Sequence, residues 1–160
     1  MLGEIFQDAL FAAIAAIGFA AISRPSRRAY PYCALIAAVG HSVRFVLMHD
    51  EFIHLHIIVA TCIAAFIVGL LAVFLSPAIK TPAETYLFPA LLPMIPGIYA
   101  YKSFGGLMMC LLGNQPSSFE FYFYLFASNG LTCLFILMGM VIGATVPIFV
   151  FKKITFRATR

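Results

Sequence analysis

Polar residues are so sparse along this chain that they act as punctuation between long apolar stretches, and the spacing predicts membrane-spanning helices. Ile5–Ile22 is apolar throughout after Asp8, and Ala9, Ala13, Ala16 and Ala20 recur along one face, a small-residue stripe suited to close approach of a neighbouring helix. Ser23-Arg24-Pro25 ends it. Tyr30–Met48 follows, interrupted by His41 and Arg44, and Phe52–Leu75 is the clearest span, with His54, His56 and Thr61 as its polar breaks. Thr81-Pro82-Ala83-Glu84 has the form of a capping box opening the next helix. That helix is interrupted at Pro93-Met94-Ile95-Pro96-Gly97 and resumes to about Leu112. Phe119–Phe151 would be about 50 Å long as a helix, too long for one straight crossing. Its aromatic start, Phe119–Phe126, is expected at the membrane interface.

The expected architecture is an all-α integral membrane helical bundle of about five transmembrane helices in a single membrane domain, residues 1–160. The spans cover about 5–22, 30–48, 53–75, 83–112 and 127–149, the fourth broken at Pro93–Gly97. Composition sharpens this reading: 63% of the residues are hydrophobic, 10% are charged, and the mean hydropathy is +1.02. A chain so apolar cannot cover a water-facing surface. Glu4 and Asp8, with no basic residue before them, argue against a cleavable signal.

The net charge of +4 comes from residues scattered at the ends of apolar runs, which sets orientation rather than nucleic-acid binding. With five crossings, Arg24, Arg27, Arg28, Lys80, Lys152, Lys153, Arg157 and Arg160 share one side, leaving Lys102 for the other. The positive-inside rule then places the N-terminus outside and the C-terminus in the cytoplasm of a multi-pass cell (inner) membrane protein.

Arg44 is the most unusual residue, a cation inside an apolar segment with His41 on the same helical face. A charge at that depth costs about 2.5–3.5 kcal/mol or more unless it faces protein or water. Two readings stand: the side chain snorkels to the interface, or it lines a polar cavity and attracts an anionic group. His41, with an unperturbed imidazole pKa of about 6.5, is either a packing residue or a proton carrier. No carboxylate is expected deep in a span, so one required beside Arg44 would come from another chain. Pro93, Pro96 and Gly97 should unwind their helix and free backbone groups, as discontinuous helices of transporters do. The rival reading is a merely kinked helix. Tyr101 follows the break and could supply a hydroxyl to the same cavity. Asn129 in the last span suits either a helix–helix hydrogen bond or substrate contact, while Gly139 and Gly143 form a GxxxG packing pattern.

His49, Asp50, Glu51, His54 and His56 do not converge as a metal site requires. Cys33, Cys62, Cys110 and Cys133 lie in apolar segments without a CxxC pair. No catalytic motif is present, and neither an enzyme, a metal nor another cofactor is expected.

Gly18-Phe19-Ala20, the run from Cys33-Ala34-Leu35-Ile36 into Gly40-His41 and Arg44, and Pro93-Met94-Ile95-Pro96-Gly97 with Tyr101 resemble the threonine/serine exporter family, in its small split-subunit type. The similarity extends through Asn129, Gly143 and Pro147, with Ser23-Arg24 a departure where an uncharged polar pair is expected. The resemblance implies export of small amino acids or of a dicarboxylate such as succinate. It also implies a second, larger multi-span subunit as partner, beside lipid and possible further copies of this chain. The alternative is a non-conducting membrane scaffold or assembly subunit that stabilises a partner.

Overall fold

The structure, a computed structural model, describes residues 2–49, 54–79, 81–113 and 116–151. Asp50, Glu51, Lys80 and the basic residues beyond 151 lie outside the described residues. Among the described residues six α-helices follow one another: α1 (Leu2–Ser23), α2 (Tyr30–His49), α3 (Ile57–Ile79), α4 (Glu84–Leu91), α5 (Gly97–Leu112) and α6 (Pro116–Val150). A short 3-10 turn, Leu92–Met94, sits between α4 and α5. Within α1, α2, α3 and α6 there are four segments long and apolar enough to cross a membrane. Their length and predominantly apolar side chains explain both the helices and their solvent.

Two local expectations are corrected. His54–His56 is not helical, with His54 at a positive φ of 33°, so the third span begins at Ile57 and runs on through Pro77. Thr81 does not cap α4, whose first turn has no side-chain cap. Its hydroxyl meets the Tyr86 hydroxyl at 2.8 Å instead, and its carbonyl accepts from Tyr86 at 2.7 Å and from Ser76 at 2.8 Å. A buried phenol that needs a partner thus outcompetes the local cap. The aromatic stretch Phe119–Phe126 belongs to one continuous 35-residue helix, because nothing in it breaks the backbone ladder.

The chain divides into two compact units, Met1–Met94 with Gly139–Arg160, and Ile95–Met138. In the first, α2 packs against α1, α3 and α4. The buried stripe of α1 is Ala12, Ala16 and Ala20, with Asp8 one turn earlier, rather than the expected run through Ala9 and Ala13. Gly40 of α2 lies where Val68 and Met94 close in: a Cβ there would meet Val68 Cγ2, and Met94 Cε at 2.6 Å.

The end of α6 runs against α3 in the same unit. A Cβ on Gly139 would touch Ile58 O and Cys62 Cβ at 3.4 Å, one on Gly143 would strike Cys62 O, and one on Gly69 would strike Ala144 O at 2.6 Å. Contacts on both helices advance together from N- to C-terminus, so α3 and this stretch are parallel. In the second unit α5 and the first part of α6 are antiparallel, with Gly106 against the backbone of Tyr122 and Phe126 and Gly130 against Ser103.

Candidate functional site

The break between α4 and α5 follows from its prolines. Pro93 and Pro96 have no N–H to give the helical ladder, so α4 tightens into the 3-10 turn and α5 restarts at Gly97. Carbonyls in such a break lose their partners four residues on. Met94 is fully buried, and its carbonyl accepts a hydrogen bond from Arg44 Nη1 at 3.3 Å. An arginine on α2 therefore satisfies a carbonyl that the broken helix leaves over.

His41, one turn before Arg44, is 5% exposed. Its Nδ1 lies 3.2 Å from Asp8 Oδ2 on α1 and 3.4 Å from Arg44 Nη2. This corrects the expectation that any carboxylate near Arg44 must come from another chain. Asp8 heads the buried alanine stripe of α1 and reaches the cation through the imidazole, without a direct Asp8–Arg44 ion pair. The other ring nitrogen, Nε2, is buried with no hydrogen-bond partner. The Pro93 carbonyl is a backbone hydrogen-bond acceptor beside the ring, although its contact with Nε2 falls short of ideal hydrogen-bond geometry. The result is a row of carboxylate, imidazole and guanidinium inside an apolar bundle, closed on one side by the backbone of the break.

The remaining candidates stand elsewhere. Pro96 is buried, and its carbonyl faces the Cys133 thiol at 4.0 Å. Gly97 has open space where a Cβ would be. Tyr101 is 80% exposed on α5, so its ring faces outward. Asn129 donates its amide to Leu125 O at 2.8 Å within its own helix. Gly139 and Gly143 meet α3, as described above. A cavity of about 420 Å³ between α5 and α6 is lined by apolar groups, apart from Ser103 and Cys133. The Ser103 hydroxyl is already given to Phe126 O at 3.0 Å, so nothing charged awaits a solute there. Among the described residues no group of His, Cys, Asp and Glu could hold a metal ion.

Sequence reasoning missed Asp8, Gly40 and the Met94 carbonyl. Asp8 was legible in one respect, since Asp8, Ala12, Ala16 and Ala20 repeat every four residues on a single helical face.

Long apolar helices with an interior cation and a helix opened by two prolines define a multi-pass helical membrane protein. Within that class the chain belongs to the threonine/serine exporter family: the family model described as Threonine/Serine exporter, ThrE, matches residues 8–150. An uncharacterized protein of Haemophilus influenzae (strain ATCC 51907 / DSM 11121 / KW20 / Rd) is 35% identical over 151 residues, which are 94% of this chain and 48% of that protein. The chain thus spans about half the length of this curated relative. No solved structure matches it.

Proposed function

We propose that this chain is one membrane subunit of a small-solute exporter, carrying threonine- or serine-like amino acids or a dicarboxylate such as succinate. It works with a second multi-span subunit. The observation that carries the reading is Arg44, a guanidinium within a membrane span that donates to one backbone carbonyl and lies beside one imidazole. Arginine offers five donors in a planar fork that matches a carboxylate. Both solute classes present a carboxylate, so the cation serves as the recognition point and the opened helix as its wall. The break at Pro93, Pro96 and Gly97 remains part of the pathway.

The relative of about twice the length supports a partner. What that protein holds beyond the matched half would here come from the second subunit. The parallel course of α3 and the end of α6 supports five crossings, because parallel spans need an odd number of passages between them, and α4 with α5 provides one. On this topology the N-terminus is outside and the basic C-terminus cytoplasmic.

The test is efflux or counterflow of labelled threonine and of labelled succinate from vesicles containing this chain, with and without a second membrane subunit. Efflux that needs both subunits and is lost on Arg44→Ala at unchanged assembly agrees with the reading. Undiminished efflux with Arg44→Ala would leave this chain as a scaffold.

A further inference from the structure

One atom of the site has two incompatible partners. His41 Nδ1 is 3.2 Å from Asp8 Oδ2 and 3.4 Å from Arg44 Nη2. A neutral ring nitrogen offers one hydrogen or one lone pair, never both. With the hydrogen on Nδ1, the ring donates to the Asp8 carboxylate and Arg44 finds no acceptor on it. With the hydrogen on Nε2, Nδ1 accepts from Arg44, and the carboxylate faces a lone pair. Nε2 is buried, no partner meets it with full hydrogen-bond geometry, and the Pro93 carbonyl is the looser backbone acceptor beside the ring. The choice falls to Nδ1 and its two charged neighbours.

We propose that His41 Nδ1 is a selector that decides whether the Arg44 fork is held inside the protein or presented to a carboxylate, and that Asp8 is the positioning residue that sets it. Asp8 draws the hydrogen to Nδ1: both possible bonds are charge-assisted, but the other tautomer sets a lone pair against the nearer carboxylate, whereas Arg44 has the Met94 carbonyl as a second acceptor. Arg44 then keeps its bond to the Met94 carbonyl, and its other N–H groups turn to the solute. Among the described residues, Asp8 from α1 and Arg44 from α2 are the charged side chains that act on the ring. Helix α3 carries no charged residue, the 3-10 turn offers backbone alone, and Glu84 of α4 does not act on the ring. Three groups from two helices therefore make a closed circuit: the carboxylate sets the tautomer, and the tautomer sets the cation.

This inference rests on the reading of Arg44 as the carboxylate site, but its test needs no solute. The full chain is labelled with 15N-histidine, placed in lipid nanodiscs, and its ring nitrogens are recorded by NMR at pH 8, with His41→Gln identifying the His41 signals. The expected wild-type spectrum shows a protonated Nδ1 and an unprotonated Nε2. In Asp8→Asn the unprotonated signal moves to Nδ1, which now accepts from Arg44. A wild-type ring protonated on Nε2 overturns the proposal, as does a tautomer that Asp8→Asn leaves unchanged. If Asp8→Asn does not assemble, the wild-type spectrum still decides. Undiminished solute efflux with Arg44→Ala, with the tautomer switch intact, would instead sink the carboxylate reading alone.

Discussion

Arg44 donates to the Met94 carbonyl across 3.3 Å, so a cation on α2 is held by the backbone that the broken helix releases. The two unusual features of the chain, the intramembrane arginine and the paired prolines, thus meet at one hydrogen bond. The break supplies an acceptor that a continuous helix would have consumed, and the arginine supplies the donor that the exposed carbonyl needs.

Arg44→Lys keeps the charge and loses the fork. Removing one charge-assisted hydrogen bond costs about 1.5–3 kcal/mol, or roughly tenfold to hundredfold in affinity. Transport affinity for labelled threonine or succinate should fall by that factor at matched membrane abundance, and further for Arg44→Ala. An arginine that merely anchors to headgroups would accept lysine freely, and unchanged affinity would establish that.

Replacing Pro93 and Pro96 together by alanine restores two backbone donors and removes two ring clashes. The helix should straighten and the Met94 carbonyl return to the ladder, leaving Arg44 without its acceptor. The expected result is equal or higher thermal stability in detergent with transport largely lost. Undiminished transport rates would make the break a structural kink.

The outline of the bundle was legible because long apolar runs leave the backbone no alternative to helix, and the break because proline lacks a donor. Asp8 was not, since its depth was judged by distance along the chain from a helix end. Depth is decided by the partner: α2 brings His41 to Asp8 across 33 positions of sequence. The capping box at Thr81 failed for a similar reason, because Tyr86 is buried and takes the threonine oxygens from tertiary position. The α1 stripe shifted by one register because Ala12 rather than Ala13 points at the core.

Gly40 should tolerate no side chain. Its added Cβ meets Val68 Cγ2, on a stiff β-branched residue, and Met94 Cε at 2.6 Å. Gly40→Ala is expected to cost about 1–3 kcal/mol of stability, read as a lower melting temperature in detergent, with Val68→Ala restoring part of it. Gly143→Ala should cost more than Gly139→Ala, because the first strikes the Cys62 carbonyl and the second makes only 3.4 Å contacts. Gly105→Ala, with open space around it, should be nearly silent. Equal effects at all four positions would refute this packing scheme.

Reporter fusions after Arg28, Glu51, Lys80, Asn114 and Arg160 should read inside, outside, inside, outside, inside. The decisive pair is Lys80 and Asn114, because α4 and α5 are each shorter than a usual span and cross only if they act together. The same readout at both sites would remove the fourth crossing and the proposed orientation of the basic tail.

The last prediction concerns pH and follows from charge balance at the site. With a neutral imidazole, the Asp8 carboxylate offsets the Arg44 guanidinium, so the three groups carry no net charge. A protonated imidazole keeps its Nδ1 hydrogen on Asp8 and gains a second on Nε2. Imidazolium and carboxylate then cancel, leaving one net positive charge for the solute. A proton and the solute carboxylate therefore favour each other, and by linkage each strengthens binding of the other. Apparent affinity should fall as pH rises through the ring's titration, by at most about tenfold per unit for one linked proton. His41→Gln has no proton to exchange and should give a flat profile. The measurement is the half-saturation concentration for efflux of labelled solute between pH 5.5 and 8.5, at equal protein abundance. A wild-type slope of the opposite sign, or a His41→Gln profile as steep as wild type, would take the pH response away from this histidine.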